Sequence, residues 1–344
     1  MVAVMMPVFI IMLAFAIDAG YLLRERANLQ RTADAAALAA VRDLVPDSYG
    51  NQDLDAVRAR VREYVAANLT DGDGFTVLGS DIEIGRYDPD AIYTEVILLD
   101  DGILDTVRVT LRRDSAANGP VSLFFTGIFG ISNSEVRATA TAVLQKARYL
   151  QAGVGVLPFS IPSERWGPAE QGEKWSIYGD GRVLDGNGNQ LPGNWGTLNL
   201  GPSSNSTETI NDQVLNGLNA SHLDALYDGG RIPQNTYIDS QVPFDANGDP
   251  GLSGGMKQSM EQIIGETRMI PIYESVTNQG ATLEFRVVGW AAAKVLDVKF
   301  HGTTNTYVQI EKSYTYDGYL RPESDLSVTE GVIEGAFTFP TLVD

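Results

Sequence analysis

The first seventeen residues constrain the fold of this chain most strongly, because Met1 to Ile17 contain no polar side chain. Counted on to Leu23, with only Asp18 and Tyr21 as interruptions, the stretch would form about 35 Å of α-helix at about 1.5 Å per residue. A helix of that length crosses the hydrocarbon core of a bilayer. The sequence therefore predicts an N-terminal transmembrane helix that is retained as an anchor.

A cleavable signal peptide is the alternative to an anchor, since residues 14–16 form the A-x-A pattern of a cleavage site. Signal peptides also carry a basic segment ahead of the apolar run, and none precedes this one. Taken alone, the positive-inside rule would place the body of the chain in the cytoplasm, because Arg24, Arg26 and Arg31 follow the apolar run and no basic residue precedes it. We expect instead a translation start upstream of Met1; the alternative is an inverted chain with its body in the cytoplasm.

The helix is predicted to continue beyond the apolar run, to a total of about 40 residues. Neither glycine nor proline occurs between Gly20 and Pro46, and Ala, Leu, Arg and Gln are strong helix formers. Ala16 and Gly20 form a small-x-x-x-small pair through which a second helix can approach closely. The alternative is that alanine is present only for its helix propensity. One face of the continuation carries Leu22, Leu29, Ala33, Ala36, Ala40 and Leu44.

Two aspartates of this helix raise separate questions. Asp18 lies near the predicted membrane boundary, where an ionised carboxylate costs far less free energy than at the bilayer centre. We expect it to pair with a basic group of a partner subunit or, alternatively, to be hydrated at the interface. Asp34 is predicted to be a solvated surface residue or to pair locally with Arg31, one turn before it.

A set of signature residues runs through the helix: Ala16, Asp18, Gly20, Arg26, Leu29, Gln30, Ala33, Asp34, Ala36 and Leu38. In their context, AIDAGYLLRERANLQRTADAAALAA, they resemble the N-terminal signature of the TadE/TadG-like proteins of the Flp (tight adherence, Tad) pilus-assembly system. The resemblance implies a single-pass anchor in a bacterial inner (cytoplasmic) membrane, with the bulk of the chain outside the cytoplasm. It also implies contact with membrane lipid through the N-terminal helix. The partners that it implies are other Tad/Flp pilus-assembly membrane proteins, with a homo-oligomer as a further candidate.

A second module is predicted to follow the anchor and its helical extension, which together occupy residues 1–45. Residues 46–150 combine an amphipathic helix around Val57 and Val61 with strands of alternating polarity, and so predict an α+β module. This plan resembles that of pilin-like subunits. The apolar segment GPVSLFFTGIFGI, residues 119–131, is too short to span a membrane and is predicted to be a buried turn or a surface wedge.

The third module, residues 151–344, is predicted to be mainly β, because its apolar runs are rich in β-branched and aromatic residues and are separated by turn signals. Helices are predicted over residues 211–227 and 256–264, and residues 181–206 are predicted to be rich in loops. The predicted fold class is α+β: a long N-terminal transmembrane helix continues into a pilin-like helix-plus-antiparallel-sheet module, followed by a mainly β C-terminal module.

Charge and composition argue against several classes of function. The formal net charge is −19, whereas nucleic-acid binding requires clustered Lys and Arg. We therefore expect no nucleic-acid partner. The chain has no cysteine, which excludes disulfides, zinc-thiolate sites and thiol catalysis.

Candidate catalytic and metal-binding residues are few. The two histidines, His222 and His301, have no recognisable motif around them, and no nucleophile elbow, Walker A or dinucleotide-binding sequence is present. Asp245, Asn247 and Asp249 have the spacing of a calcium loop but lack its glycine and terminal glutamate, as does the run over 185–189. Both runs are predicted to be Asx-Gly turns. No catalytic, cofactor-binding or metal-binding residue is assigned, and we expect a protein that is not an enzyme.

The function predicted from these features is that of a membrane-anchored structural or assembly component of a Flp/Tad type IVb-like pilus or secretion machine, acting through helix and domain contacts. A secreted or surface adhesin, whose last module binds a ligand, is the alternative. A hydrolase that works through unrecognised carboxylates is a third hypothesis.

Overall fold

The chain folds into two compact units, which we call the first and second units. The computed structural model describes residues 2–69, 74–87, 102–178, 183–184, 190–191, 196–201, 206–250, 254–279, 282–300, 306–323 and 333–343. The first unit comprises Met1–Leu44, Gln52–Leu144 and Pro340–Asp344, and the second comprises Val45–Asn51 and Gln145–Phe339. A long N-terminal helix is followed by a mainly β region, so the predicted α+β class is confirmed.

The first unit is built around the predicted long helix, which spans 39 residues. Its elements in chain order are α1 (Val2–Ala40), α2 (Leu54–Asn68), β1 (Ile82–Gly85), β2 (Thr106–Arg113), β3 (Val121–Ser122), β4 (Asn133–Ser134) and β5 (Val136–Lys146). Strand β2 pairs antiparallel with both β1 and β5, and β3 pairs antiparallel with β4. The antiparallel sheet expected from the alternating sequence is therefore present.

Local sequence explains why α2 begins where it does. Helix α2 is capped by Asp53, whose carboxylate accepts hydrogen bonds from the backbone N–H of Asp55 at 3.1 Å and of Ala56 at 2.9 Å. Such an N-cap satisfies donors that the first turn of a helix leaves without partners.

Among the described residues, no helix has both the length and the apolarity needed to cross a membrane.

The second half of α1 contributes one wall of the first unit's core. It contacts α2 and β2, and because most of its inward residues are alanines, the neighbouring backbones can approach closely. Polar contacts reinforce this packing: Glu25 forms an ion pair with Arg113 of β2 at 3.1 Å, and Gln30 Nε2 donates to the carbonyl oxygen of Thr139 of β5 at 3.0 Å. The fully buried apolar residues of α1 on this face are Leu29, Ala33, Ala36, Ala37 and Ala40, and Val41 and Leu44, just after the helix, are fully buried as well.

The second unit is mainly β, as the sequence predicts. Its strands are β6 (Tyr149–Gln151), β7 (Ile161–Pro162), β8 (Lys174–Tyr178), β9 (Val183–Leu184), β10 (Gln190–Leu191), β11 (Gly196–Leu198), β12 (Tyr237–Asp239), β13 (Phe244–Pro250), β14 (Thr267–Gln279), β15 (Thr282–Lys299), β16 (Tyr307–Lys312), β17 (Thr315–Tyr316), β18 (Leu320–Arg321) and β19 (Ala336–Val343), the last of which runs on into the first unit. Its helices are α3 (Ser163–Trp166), α4 (Thr207–Asn216), α5 (Ala220–Asp228) and α6 (Lys257–Gln262).

A nine-stranded sheet organises the second unit, in the order β10-β9-β8-β16-β15-β13-β11, with β14 on β15 and β7 on β14. Both faces of its long strand β15 are covered. Phe285, Trp290 and Ala292 pack into one hydrophobic cluster, whereas Ala291 and Ala293 pack into another. Because successive side chains of a strand point to opposite faces, this alternation places β15 inside the core.

Two local expectations for the second unit are wrong. The single helix predicted over residues 211–227 is divided into α4 and α5 by Gly217, which adopts a φ of 72°. A Cβ at Gly217 would lie only 2.1 Å from the carbonyl oxygen of Val154, so the close packing requires glycine there. The run from Asp245 to Asp249 belongs to strand β13 rather than to a turn, because its backbone pairs with β15 up to Gly248 and Asp249 pairs with β11. The similar run over 185–189 lies outside the described residues.

Candidate functional site

The signature residues of α1 occupy three different environments. Leu29, Ala33 and Ala36 are fully buried in the first unit, as described above. Gln30, Asp34 and Leu38 flank them and are half-buried, whereas Ala16, Gly20 and Arg26 are exposed to solvent. Asp18 differs from all of these, because it is an acidic residue that is only 2% exposed.

Asp18 binds a distant segment of the same unit in an arrangement that we call the Asp18 clasp. Its Oδ1 accepts a hydrogen bond from the backbone N–H of Phe124 at 2.9 Å. Its Oδ2 accepts from the backbone N–H of Phe125 at 3.0 Å and from both the backbone N–H and the hydroxyl of Thr126, at 2.8 and 3.0 Å. The carboxylate is thus satisfied within the chain. The expectation that it pairs with a partner's basic group, or is hydrated, is wrong.

The clasp forms because residues 124–126 lead into a short 3-10 turn, Thr126–Phe129, whose first N–H groups have no partner within the turn. A carboxylate is well suited to such N–H groups, since their dipoles and its charge attract each other. Gly130 closes the turn in the left-handed region, with a φ of 83°, and donates its N–H to the carbonyl of Gly127 at 3.1 Å. The ring of Phe124 also meets that of Tyr21 edge to face, with centroids 5.2 Å apart.

An exposed apolar surface adjoins the clasp. On α1 this surface includes Met6 and Phe9, whose large side chains are 66% and 67% exposed. On the segment over residues 123–131, which we call the apolar loop, Phe124 is 67% exposed and Ile131 is 57% exposed. A groove of about 430 Å³ separates the loop from the helix. It is lined by Ile11, Met12, Ala14, Phe15, Thr126 and Ile131.

Basic side chains follow this apolar surface along α1. Arg24, Arg26 and Arg31 are all exposed. Arg26 lines a second groove of about 220 Å³, which is more polar than the first. The other residues of that groove are Leu22, Leu23, Ser134, Glu135, Val136 and Arg137. The surface therefore changes from apolar to cationic within about two turns of helix.

The prediction that Asp34 pairs with Arg31 is wrong. Asp34 Oδ1 accepts a hydrogen bond from Gln30 Nε2 at 2.8 Å, and the same amide donates to the sheet. Arg31 instead donates through Nε to the carbonyl oxygen of Ala27 at 3.3 Å. Gln30 therefore connects α1 to β5 and also binds Asp34 within the helix. It was singled out only by the family resemblance, and the structure gives it these two contacts.

Another buried carboxylate in the first unit stabilises a turn. Burial alone would raise the pKa of Asp114, but hydrogen bonds from the N–H groups of Ala116 and Ala117, together with Arg137, lower it below its ordinary value. The N–H donors lie at 2.9 and 3.1 Å, and Arg137 Nε at 2.8 Å. Asp114 thus remains ionised and connects the end of β2 to β5.

His222 is buried at the start of α5 in the second unit. Burial lowers the pKa of its imidazole, although Asp212, 3.5 Å from Nε2, opposes that effect. Its Nδ1 accepts a hydrogen bond from the backbone N–H of Asn219 at 3.3 Å and completes a capping box. His301 lies outside the described residues. In the part of the chain that the structure describes, no group of three or more His, Cys, Asp or Glu side chains could hold a metal ion.

Sequence reasoning missed the partners of Asp18. Phe124 and Thr126 lie more than a hundred positions from it, and no alternation or helical period connects residues at that separation. The available signals were an acidic residue at the end of one apolar run and a hydroxyl residue, Thr126, within another. Both runs needed a partner for their polar group, because unpaired polar groups in apolar surroundings are costly.

Comparison with known proteins supports the resemblance over the helix. No curated protein and no solved structure matches the chain. The later segments, including the pilin-like module, stay predictions in this respect. Residues 1–43, which include all the signature residues, match the model of the Tad family, described as putative Flp pilus-assembly TadE/G-like proteins.

Proposed function

We propose that the chain is a membrane-anchored structural component of a Flp/Tad pilus-assembly or secretion machine, and that it acts through helix and domain contacts. The observation that carries this proposal is the family match over residues 1–43. That family suggests a role in pilus assembly, a location in the cell envelope and contacts with other pilus components. The anchor, its orientation and the mechanism are our own inferences.

The anchor is inferred from the apolar surface of the first half of α1. Between Phe9 and Ile17 the large apolar side chains are exposed on every side of the helix, and contiguous apolar surface of this kind marks a binding face for membrane or protein. A bilayer would cover all sides at once, whereas a protein partner would cover one. The acidic body would then lie outside the cytoplasm, in the orientation that the family resemblance implies.

Continuity of α1 gives the anchor a mechanical role. The same helix that would enter the membrane carries the buried alanine face of the first unit, without an interruption between Val2 and Ala40. Contacts made by the membrane segment would therefore orient the body directly. Ala16 and Gly20 lie on an exposed face, where a helix of another subunit could approach closely.

The proposal is tested by releasing the body from its anchor. Residues 1–17 are replaced by a cleavable signal sequence, and the product is expressed in a strain that lacks the native gene. The junction must precede Asp18. Removal of the whole predicted anchor and extension, residues 1–45, would also remove the buried alanine face from the core. We expect surface pili to be lost, because membrane confinement supplies a high local concentration of the body.

Two controls make this test decisive. The unaltered chain should restore pili, and a chimera with an unrelated transmembrane segment of equal length should show whether confinement alone is sufficient. Normal piliation by the released body would rule out an anchored assembly role and would favour a secreted adhesin. A reporter that is active only outside the cytoplasm, fused after Asp344, tests the orientation separately.

A further inference from the structure

We propose that the apolar loop, residues 123–131, enters the lipid interface of the membrane beside α1, so that the chain contacts the bilayer at two points. This inference rests on the proposed anchor and adds a second membrane-binding element to it. The partner is the lipid itself, with an acyl chain as the ligand of the groove between loop and helix. The loop is too short to cross the bilayer, so it would remain at the interface.

The chemistry of the loop suits an apolar surrounding. In the sequence LFFTGIFGI the one polar side chain is Thr126, and its hydroxyl donates to Asp18 at 3.0 Å. The side chains of Phe124, Phe125 and Ile131 are exposed, although they are large and apolar. In water such exposure is unfavourable. Transfer of these side chains to lipid would lower the free energy by about 25 cal/mol for each Å² of apolar surface removed from water.

The backbone of the loop is also prepared for burial in lipid. Its N–H groups at residues 124–126 donate to Asp18, as described above. The N–H of Leu123 donates to the carbonyl oxygen of Ser132 at 2.9 Å, and the N–H of Ile131 donates to the carbonyl oxygen of Thr126 at 3.2 Å. A backbone that enters hydrocarbon must satisfy its polar groups internally, because no water is available there. The Asp18 clasp supplies acceptors for this purpose at the base of the loop.

Two observations favour lipid over a protein partner. The apolar surface of the loop is continuous with that of α1, through the groove that both elements line, so one medium can cover both. Directly beyond it along the helix, Arg24, Arg26 and Arg31 are exposed. This order of apolar and then cationic side chains matches the order of acyl chains and phosphate groups in a membrane.

The lack of cysteine allows a direct test in the full-length chain. Single substitutions Phe9→Cys, Ile131→Cys and Tyr64→Cys are labelled with an environment-sensitive fluorophore and reconstituted into phosphatidylcholine and phosphatidylglycerol vesicles. The fluorescence is then measured with lipids that carry a quenching spin label either near the headgroup (shallow) or far down the acyl chain (deep). Tyr64 is the matched control, because it is an exposed residue of α2 in the same unit. Phe125→Cys repeats the test elsewhere on the loop.

We expect spin-labelled lipids to quench the labels at residues 9, 131 and 125, with the shallow lipids more effective at the two loop positions than at Phe9, and to leave the label at Tyr64 unquenched. Quenching at Phe9 without quenching at the two loop positions would overturn the loop proposal and leave the anchor intact. Absence of quenching at all positions would overturn the anchor itself. Shielding of the loop labels from an aqueous quencher in detergent, rising with protein concentration, would identify a second copy of the chain as the occupant and also overturn the proposal.

Discussion

The two halves of α1 show that apolar composition and burial are separate properties. Between Phe9 and Ile17 most side chains are large and apolar, yet the large ones are exposed. Between Leu29 and Ala40 most inward residues are alanines, which bury little area individually but are fully enclosed by the first unit. The small residues form the core because they let backbones approach, whereas the large ones remain available for an external medium. Asp18 lies between the two halves.

The largest effect is expected from placing a charge in each half. Ala36→Glu introduces an unpaired carboxylate into a fully buried position and should lower the free energy of unfolding of the first unit by about 3–5 kcal/mol. Ala16→Glu, at an exposed alanine of the same helix, should leave the thermal unfolding midpoint nearly unchanged but reduce co-sedimentation with vesicles. Circular dichroism and sedimentation measure the two outcomes. Equal loss of stability in both variants would contradict the comparison.

A smaller effect is expected from breaking the junction between the halves. Asp18→Ala removes the acceptor of four hydrogen bonds and should speed hydrogen exchange at the backbone N–H of Thr126 by at least about tenfold. Asp18→Asn retains one acceptor oxygen and should show an intermediate rate. Asp34→Ala, which removes a carboxylate that binds Gln30 on the same helix, should leave exchange at Thr126 unaltered. Unchanged exchange in Asp18→Ala would show that the clasp does not hold the loop.

The smallest effect on stability is expected at Gly20, where a Cβ would meet no atom within 4 Å. Gly20→Ala should stabilise the helix by up to about 1 kcal/mol, because glycine is a poor helix former. Gly20→Leu should fold equally well but should co-purify with less of any partner subunit, if the Ala16 and Gly20 face packs against another helix. Equal co-purification of the leucine variant and the unaltered chain would assign glycine no packing role. Thermal unfolding checks that both variants remain folded.

Local sequence was sufficient for the elements that depend on local physics. The length of α1 follows from helix propensity and from the absence of glycine and proline after Gly20, and the alternation around Val107 and Val136 follows from the geometry of a strand. The buried alanine face was visible in the spacing of Leu29, Ala33 and Ala36. These features need only neighbours within a few residues, so a sequence pattern can report them.

Tertiary structure alone decided the partners of polar groups and the breaks within predicted elements. Nothing near Asp18 in the sequence indicates the N–H groups of residues 124–126, because their approach depends on the packing of β2 against α1. Gly217 interrupts a helical pattern because the carbonyl of Val154 leaves no room for a Cβ. Asp245 and Asn247 lie in a strand because β15 offers pairing partners. Each outcome depends on contacts between residues far apart in the chain, which local propensity does not encode.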